Sequence, residues 1–279
     1  MIKKILKAEI ALILLISIIV GGYLLADNAM YKKYSNLPAM SITIEKTWYN
    51  QNNVITHATG GINGSTYTNS KESLENSLNN GAKVIEIDYN FTSDGHLVCY
   101  HMPKDVHILK QSFTLDDFLN TKVQGQYTPL TFQDTLRYLE EHEDLFISID
   151  TKHEKLEEVI KYVIDNTENK KLLNRFLIQC FYPGEKTVIE KLYDFPQENY
   201  IFAPYKYSKN AYVAIQTCYD EGFKALAADY TAYDKKMMEL ITSKNIYLFL
   251  HTVNRLDVAQ ELLNRGAYGI YSDFIYQLD

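Results

Sequence analysis

From residue 53 onward, short β-branched or aromatic runs alternate with stretches whose apolar positions recur every three or four residues. The first pattern predicts buried strands, the second amphipathic helices packed against them. Strands are predicted at Asn53–His57, Lys83–Asn90, His96–His101, Leu145–Thr151, Arg175–Phe181, Tyr200–Pro204, Phe223–Ala228, Ile246–Val253 and Tyr268–Asp273. Between them the spacing predicts helices at Asn69–Asn80, Thr131–His142, His153–Asn166, Gly184–Tyr193, Asn210–Glu221, Lys235–Ser243 and Arg255–Arg265. Gly81, Gly222 and Gly266 each sit just past a helical pattern, where a C-terminal cap is expected. Regular β/α alternation argues for a parallel sheet with helical crossovers. The expected fold class is α/β, an eight-stranded TIM (β/α)8 barrel, a fold of roughly 250 residues with its chemistry at the carboxyl ends of the strands. Nine strand candidates compete for eight places, so one is expected to be a hairpin strand or no strand at all. Residues 102–129 show no clear periodicity and are long for a loop, as expected of a lid or substrate-binding insertion.

The amino terminus follows a different pattern. Lys3, Lys4 and Lys7 precede a run from Ile10 to Ala26 broken only by Ser17 and Gly21–Gly22. That length is at the short edge of the roughly 17–25 residues that span a bilayer. Leu24–Ala29 fits a signal-peptidase site poorly, and no cysteine follows the run to carry a lipid. Residues 1–26 are therefore read as a cytoplasmic stub and uncleaved transmembrane signal anchor, 27–52 as a polar, irregular tether, and 53–279 as the barrel domain. Lysines before the span place the amino terminus in the cytoplasm and the barrel domain outside.

Composition narrows the chemistry. The chain carries a formal charge of −7, and without its first nine residues it carries −9. Such a body makes a poor nucleic-acid binder through its general field, so an anionic substrate must be met locally. Cys99, Cys180 and Cys218 show no metal-site or disulfide spacing and read as buried free thiols.

The candidate chemistry gathers at predicted strand ends. His57, Glu86, Asp88, His101, Asp150, Lys152 and Asp273 all lie at or just past them. Glu86 and Asp88 are two apart, hence on one side of a strand, and both carboxylates can reach one ion. Hard oxygen ligands suit Mg²⁺ or Ca²⁺, and the flanking imidazoles of His57 and His101 suit proton transfer. This combination points to metal-assisted chemistry on a phosphate ester. Asn254 and Asp273 read as structural caps and His251 as structural. His96, His107, His142 and His153 read as surface residues, and most of the 23 tyrosines as packing.

The ordered motifs carry a resemblance. His57-Ala58-Thr59-Gly60, Thr68-Asn69-Ser70, Glu86-Ile87-Asp88, Thr92-Ser93-Asp94-Gly95 and Tyr100-His101-Met102 are similar to the opening motifs of the glycerophosphodiester phosphodiesterase family. Leu130–Asp134, Ile149–Lys152, Thr252–Asn254 and Gly269–Asp273 resemble its later ones. The His-Ala pair and the Tyr67–Ser70 segment are most similar to a variant subset of that family. The resemblance implies a TIM barrel in which Glu86, Asp88 and Asp150 bind the divalent cation. It also implies that His57 and His101 are the acid–base pair and that Lys152 contacts the phosphate. The attacking group it implies is the neighbouring glycerol hydroxyl, giving a cyclic phosphate that water opens. The sequence departs from the family at Ala58 for arginine, Thr68 for an acidic residue, Met102 for aspartate and Asp150 for glutamate. Each change shrinks or removes charge around the site.

The expected activity is metal-dependent hydrolysis of a glycerophosphodiester to glycerol phosphate and an alcohol, outside the membrane. Deacylated phospholipid head groups or envelope glycerol-phosphate polymers are the substrates that this topology suggests. Two alternatives stand beside it: a lyase that stops at the cyclic phosphate, and a non-catalytic barrel that binds envelope glycerophosphate.

Overall fold

The computed structural model describes residues 2–41, 48, 53–102, 112–204 and 210–278. Residues 1–39 and 40–279 form two compact units. The first is a single helix, α1 (Ile2–Ser35), apolar and long enough from Glu9 to Ser35 to cross a membrane. It runs nine residues past Ala26, into the segment expected to be irregular. Asp27–Ser35 holds no glycine or proline, and Lys32 and Lys33 lie in the last turn, where cations suit the carbonyl end of the helix. Pro38 follows shortly after.

The second unit is the barrel. Its strands are β1 (Val54–Thr56), β2 (Val84–Phe91), β3 (Leu97–Cys99), β4 (Leu130–Thr131), β5 (Phe146–Thr151), β6 (Phe176–Cys180), β7 (Tyr200–Phe202), β8 (Ala225–Asp229), β9 (Tyr247–His251) and β10 (Gly269–Ser272). Eight are parallel in the order β1-β2-β5-β6-β7-β8-β9-β10, and β1 pairs with both β10 and β2 to close the ring. The surplus ninth candidate is β3. It folds back antiparallel on the carboxyl half of β2 through Tyr89↔Cys99 and Phe91↔Leu97, and β4 pairs with it in turn.

Each of the seven predicted helices has its counterpart: α2 (Lys71–Asn79), α4 (Phe132–Glu141), α5 (Leu156–Asn166), α6 (Glu185–Glu190), α7 (Ala211–Glu221), α8 (Lys235–Ser243) and α9 (Leu256–Asn264). Gly81, Gly222 and Gly266 take positive φ at the ends of α2, α7 and α9, as expected of caps. Among the described residues, α3 (Leu115–Leu119), inside the 102–129 stretch, is an α-helix that the periodicity does not predict. Its Phe118 packs with Phe113, Val123, Tyr127, Val98 and Tyr100 in a satellite core. Residues 103–111 of that stretch lie outside the described residues.

The barrel interior holds Ile55, Val84, Leu177, Ile201, Ala225 and Phe249. Trp48 joins them from the segment expected to be a tether, its ring 5.2 Å from Phe249 and its Nε1 donating to Glu198 O at 2.8 Å. Glu198 precedes β7, so Trp48 fills the amino-terminal end of the barrel, opposite the strand ends that carry the ionisable residues. The 27–52 segment is thus helical at its start and part of the core at Trp48. Cys99, Cys180 and Cys218 are free and buried, as expected.

Loss of a fully buried indole leaves a cavity. Trp48→Ala is expected to destabilise the barrel by about 3–5 kcal/mol, read from the denaturation midpoint of the detergent-solubilised protein. An unchanged midpoint would show that Trp48 is not part of the core.

Candidate active site

Strand register builds the acidic centre. Asp88 on β2 lies opposite Asp150 on β5 in a parallel ladder, and Glu86 is two residues before Asp88 on the same side. The three carboxylates bring oxygens within 4.8 Å of one another, and all are buried. Three groups hold them, and one of the three is shared between two acids. The Ala58 N–H donates to Glu86 Oε2 at 2.6 Å. Asn69 clasps Asp88, its Nδ2 donating to Oδ2 at 2.8 Å while Asp88 N donates to Asn69 Oδ1 at 3.0 Å. Lys152 Nζ lies 2.9 Å from Asp88 Oδ1 and 2.7 Å from Asp150 Oδ2.

These clasps need unusual backbone. Ala58 (φ 48°) and Asn69 (φ 44°) are left-handed, a conformation that costs alanine more than asparagine. Gly60 (φ 91°) follows, where an added Cβ would lie 2.2 Å from Ser77 Oγ on α2. Gly60 therefore sets a close approach of loop and helix, and Gly61 one of loop and Phe274.

Burial, and then the charge of Asp88, push the Glu86 carboxyl up to about 8. Burial acts the same way on Asp88, but the charges of Lys152, His101 and His57 and the Asn69 hydrogen bond hold it below the usual carboxylate range. Three buried carboxylates facing one point form a hard-oxygen donor set, which fits Mg²⁺ or Ca²⁺.

His57 follows directly on the end of β1, beside this centre. Its Nδ1 lies 2.8 Å from Asp273 Oδ1, and the carboxylate requires a donor there, so Nε2 is left for the cavity. Asn254 fixes Asp273 in turn, donating from Nδ2 to Oδ2 at 2.6 Å and accepting from Asp273 N at 2.8 Å. Burial alone would lower the His57 pKa. The Asp273 hydrogen bond and the charges of Glu86, Asp273 and Asp88 outweigh it and raise the value to about 9. The Tyr67 ring sits 4.7 Å from both His57 and His101. His57, Tyr67, Glu86, His101, Asp150 and Lys152 line one cavity of about 180 Å³.

The structure thus brings together the site residues expected from the sequence: five of them line the cavity, and Asp88 joins through Lys152. Asp273 and Asn254, read as caps, instead orient His57. His251, read as structural, lines the cavity, its pKa lowered to about 4 by burial and then by the charge of His57. Tyr67, Gln179, Thr252 and Tyr271 also line it and were not singled out. Tyr67, Thr252 and Tyr271 lie in segments that carry the family resemblance, whereas Gln179 carried no signal. Thr68, where the family has an acid, is buried and hydrogen-bonds Ser73 Oγ at 2.7 Å. Met102 is exposed. His96, His142 and His153 lie outside the cavity lining, and His107 lies outside the described residues.

The closed (β/α)8 barrel brings an imidazole pair and three convergent carboxylates together at one end, the layout of a TIM-barrel active site. The sequence profile of the glycerophosphoryl diester phosphodiesterase family matches residues 61–277, and the chain belongs to that family. Solved structures agree in fold. A putative glycerophosphodiester phosphodiesterase from Galdieria sulphuraria superposes with a TM-score of 0.68 at 14% identity, covering 80% of this chain and 94% of that one. A glycerophosphodiester phosphodiesterase from Parabacteroides distasonis gives 0.64 at 19% identity, covering 80% and 92%. An Oleispira antarctica phosphodiesterase in complex with the product sn-glycerol-3-phosphate gives 0.63 at 17%, covering 81% and 95%. A search of curated protein sequences returned no match.

The His57–Asp273 pair has a pH signature. The folded value of about 9 lies above the ordinary 6.5, so its stabilisation is full below about pH 6.5 and is lost as pH rises through about 9. In the metal-free protein, NMR titration is expected to find His57 near 9 and His251 near 4. Asp273→Asn is expected to bring His57 down and flatten that part of the stability profile. An unmoved His57 titration would show that Asp273 does not hold it.

Proposed function

We propose that the chain hydrolyses a glycerophosphodiester to glycerol phosphate and an alcohol, with one Mg²⁺ or Ca²⁺ held by Glu86, Asp88 and Asp150. The observation that carries this reading is the convergence of those three buried carboxylates beside the His57–His101 pair in one cavity. The cation, when bound, supplies Lewis-acid polarisation of a phosphoryl oxygen. His57 and His101 face each other across Tyr67 and divide the proton transfers. One takes the proton of the attacking glycerol hydroxyl and the other delivers a proton to the departing alkoxide, giving a cyclic phosphate; water then opens it with the two roles exchanged, leaving glycerol phosphate. In this reading Lys152 contacts the phosphate, and its ammonium offsets part of the charge that the absent arginine would have met.

Residues 102–129 serve this site as a substrate-side insertion in the same reading. Gln124 Nε2 donates to Thr66 O at 2.8 Å and the Tyr127 hydroxyl to Ile62 O at 3.2 Å. The insertion therefore grips the loop that presents Tyr67. We further propose that α1 anchors the chain in a membrane by a single pass. Lys3, Lys4 and Lys7 keep the amino terminus cytoplasmic, so the barrel meets its substrate outside. Deacylated phospholipid head groups and envelope glycerol-phosphate polymers are the substrates within its reach.

The test is release of glycerol 3-phosphate from a glycerophosphodiester by the full-length protein in detergent. Glu86→Gln and Asp88→Asn are expected to abolish release with the circular dichroism spectrum retained. His57→Asn and His101→Asn are each expected to lower kcat by roughly 10²–10⁴-fold. Near-normal turnover in the carboxylate variants would reject the assignment.

A further inference from the structure

Tyr67 stands in the gap between the two imidazoles. Its ring centre is 4.7 Å from that of His57, edge-on at 85°, and 4.7 Å from that of His101, tilted by 55°. Both separations lie at the close end of the range in which aromatic pairs attract. The side chain is partly exposed and lines the cavity, so the core does not account for it.

The backbone that puts the ring there is unfavourable. Tyr67 takes φ 57°, and among the described residues it is the one aromatic side chain in the left-handed region. Asn63, Asn69 and Asn245 share that region, which asparagine tolerates and a bulky ring does not. Both neighbours are pinned, Thr66 O by Gln124 Nε2 at 2.8 Å and Thr68 Oγ1 on Ser73 Oγ at 2.7 Å. Strain of this kind persists only where the surroundings over-determine it, and it gathers at working sites.

The two histidines are placed by different parts of the fold. His57 is fixed by Asp273, at the end of the last barrel strand. His101 follows Tyr100, whose N–H donates to Asp88 O at 2.9 Å and whose ring packs on Phe113 and Phe118 of the insertion. The ring of Tyr67 is the contact that joins these two placements.

We propose that Tyr67 is a positioning residue whose ring sets the spacing and facing of His57 and His101, a proposal that rests on the phosphodiesterase reading. The ring keeps the imidazoles from hydrogen-bonding each other. A proton taken up by one and a proton given by the other then pass through the substrate and not directly between them. Burial, and then the charges of Asp273, Asp88 and Glu86, raise the phenol above its ordinary value, so the spacer itself stays neutral.

The test compares Tyr67→Asn with Tyr67→Phe in the full-length protein in detergent. Asparagine removes the ring and accepts the left-handed backbone, so Tm is expected to be unchanged or raised. Turnover of a glycerophosphodiester by Tyr67→Asn is expected to fall in kcat by roughly 10–10²-fold with KM near that of wild type. In ¹⁵N-histidine-labelled protein without substrate, relaxation is expected to show the His101 ring ordered in wild type and mobile in Tyr67→Asn. Tyr67→Phe is expected to recover most of kcat and the order of His101. Equal loss in Tyr67→Phe would assign the effect to the hydroxyl and overturn the spacer. So would a change confined to KM, a loss of kcat that comes with a fall in Tm, or an ordered His101 in Tyr67→Asn. Wild-type turnover without any of these effects rejects the spacer alone. Loss of His101 order in Tyr67→Asn and its return in Tyr67→Phe, with no turnover by wild type, rejects the phosphodiesterase reading alone.

Discussion

Three carboxylates forced into one buried space are the constraint around which the upper end of this barrel is arranged. Parallel register puts Asp88 opposite Asp150, and the strand period puts Glu86 on the same side. Like charges at this separation repel strongly where water is excluded. The fold answers with a backbone N–H from Ala58 on Glu86, the amide of Asn69 on Asp88 and the ammonium of Lys152 on both aspartates. Two of the three come from left-handed residues in the β1–α2 loop. That loop is fixed by Gly60 against Ser77, by the Thr59 and Thr68 hydroxyls on Ser73, and by the insertion behind it. Backbone geometry there and electrostatics at the site are one problem with one solution.

The proton-handling side is built in the same manner from the other end of the chain. Asn254 holds Asp273, Asp273 holds His57, and His57 presents its remaining nitrogen to the cavity. The last strand thus closes the barrel and orients its first histidine. The three cavity-lining histidines have different surroundings. Acids around His57 raise its pKa to about 9, whereas burial and the charge of His57 lower that of His251 to about 4 despite Asp229 opposite it. Tyr67 lies between His57 and His101.

The architecture was legible because burial writes itself into periodicity. The alternation of apolar runs and amphipathic stretches located every barrel strand and seven helices. It did not show which strand was surplus, since β3 has the composition of a barrel strand and differs only in pairing direction. The ionisable residues of the site were legible because charges at strand ends are rare in a core. The orienting role of Asp273 was not, because only the three-dimensional closure of β10 onto β1 sets it beside His57. Gln179 sits inside a strand where polar packing residues are ordinary, so its place in the cavity lining left no pattern. Trp48 escaped notice because a single plugging residue in an irregular stretch has no period.

The account stands most directly on whether the carboxylate cluster holds a cation. Chelator-treated full-length protein titrated with Mg²⁺ and with Ca²⁺ answers this by calorimetry and thermal unfolding. The account requires one ion per chain and a concentration-dependent rise in Tm, with both responses lost in Asp150→Asn. Absence of heat and of any Tm shift at millimolar concentrations of either ion would contradict it.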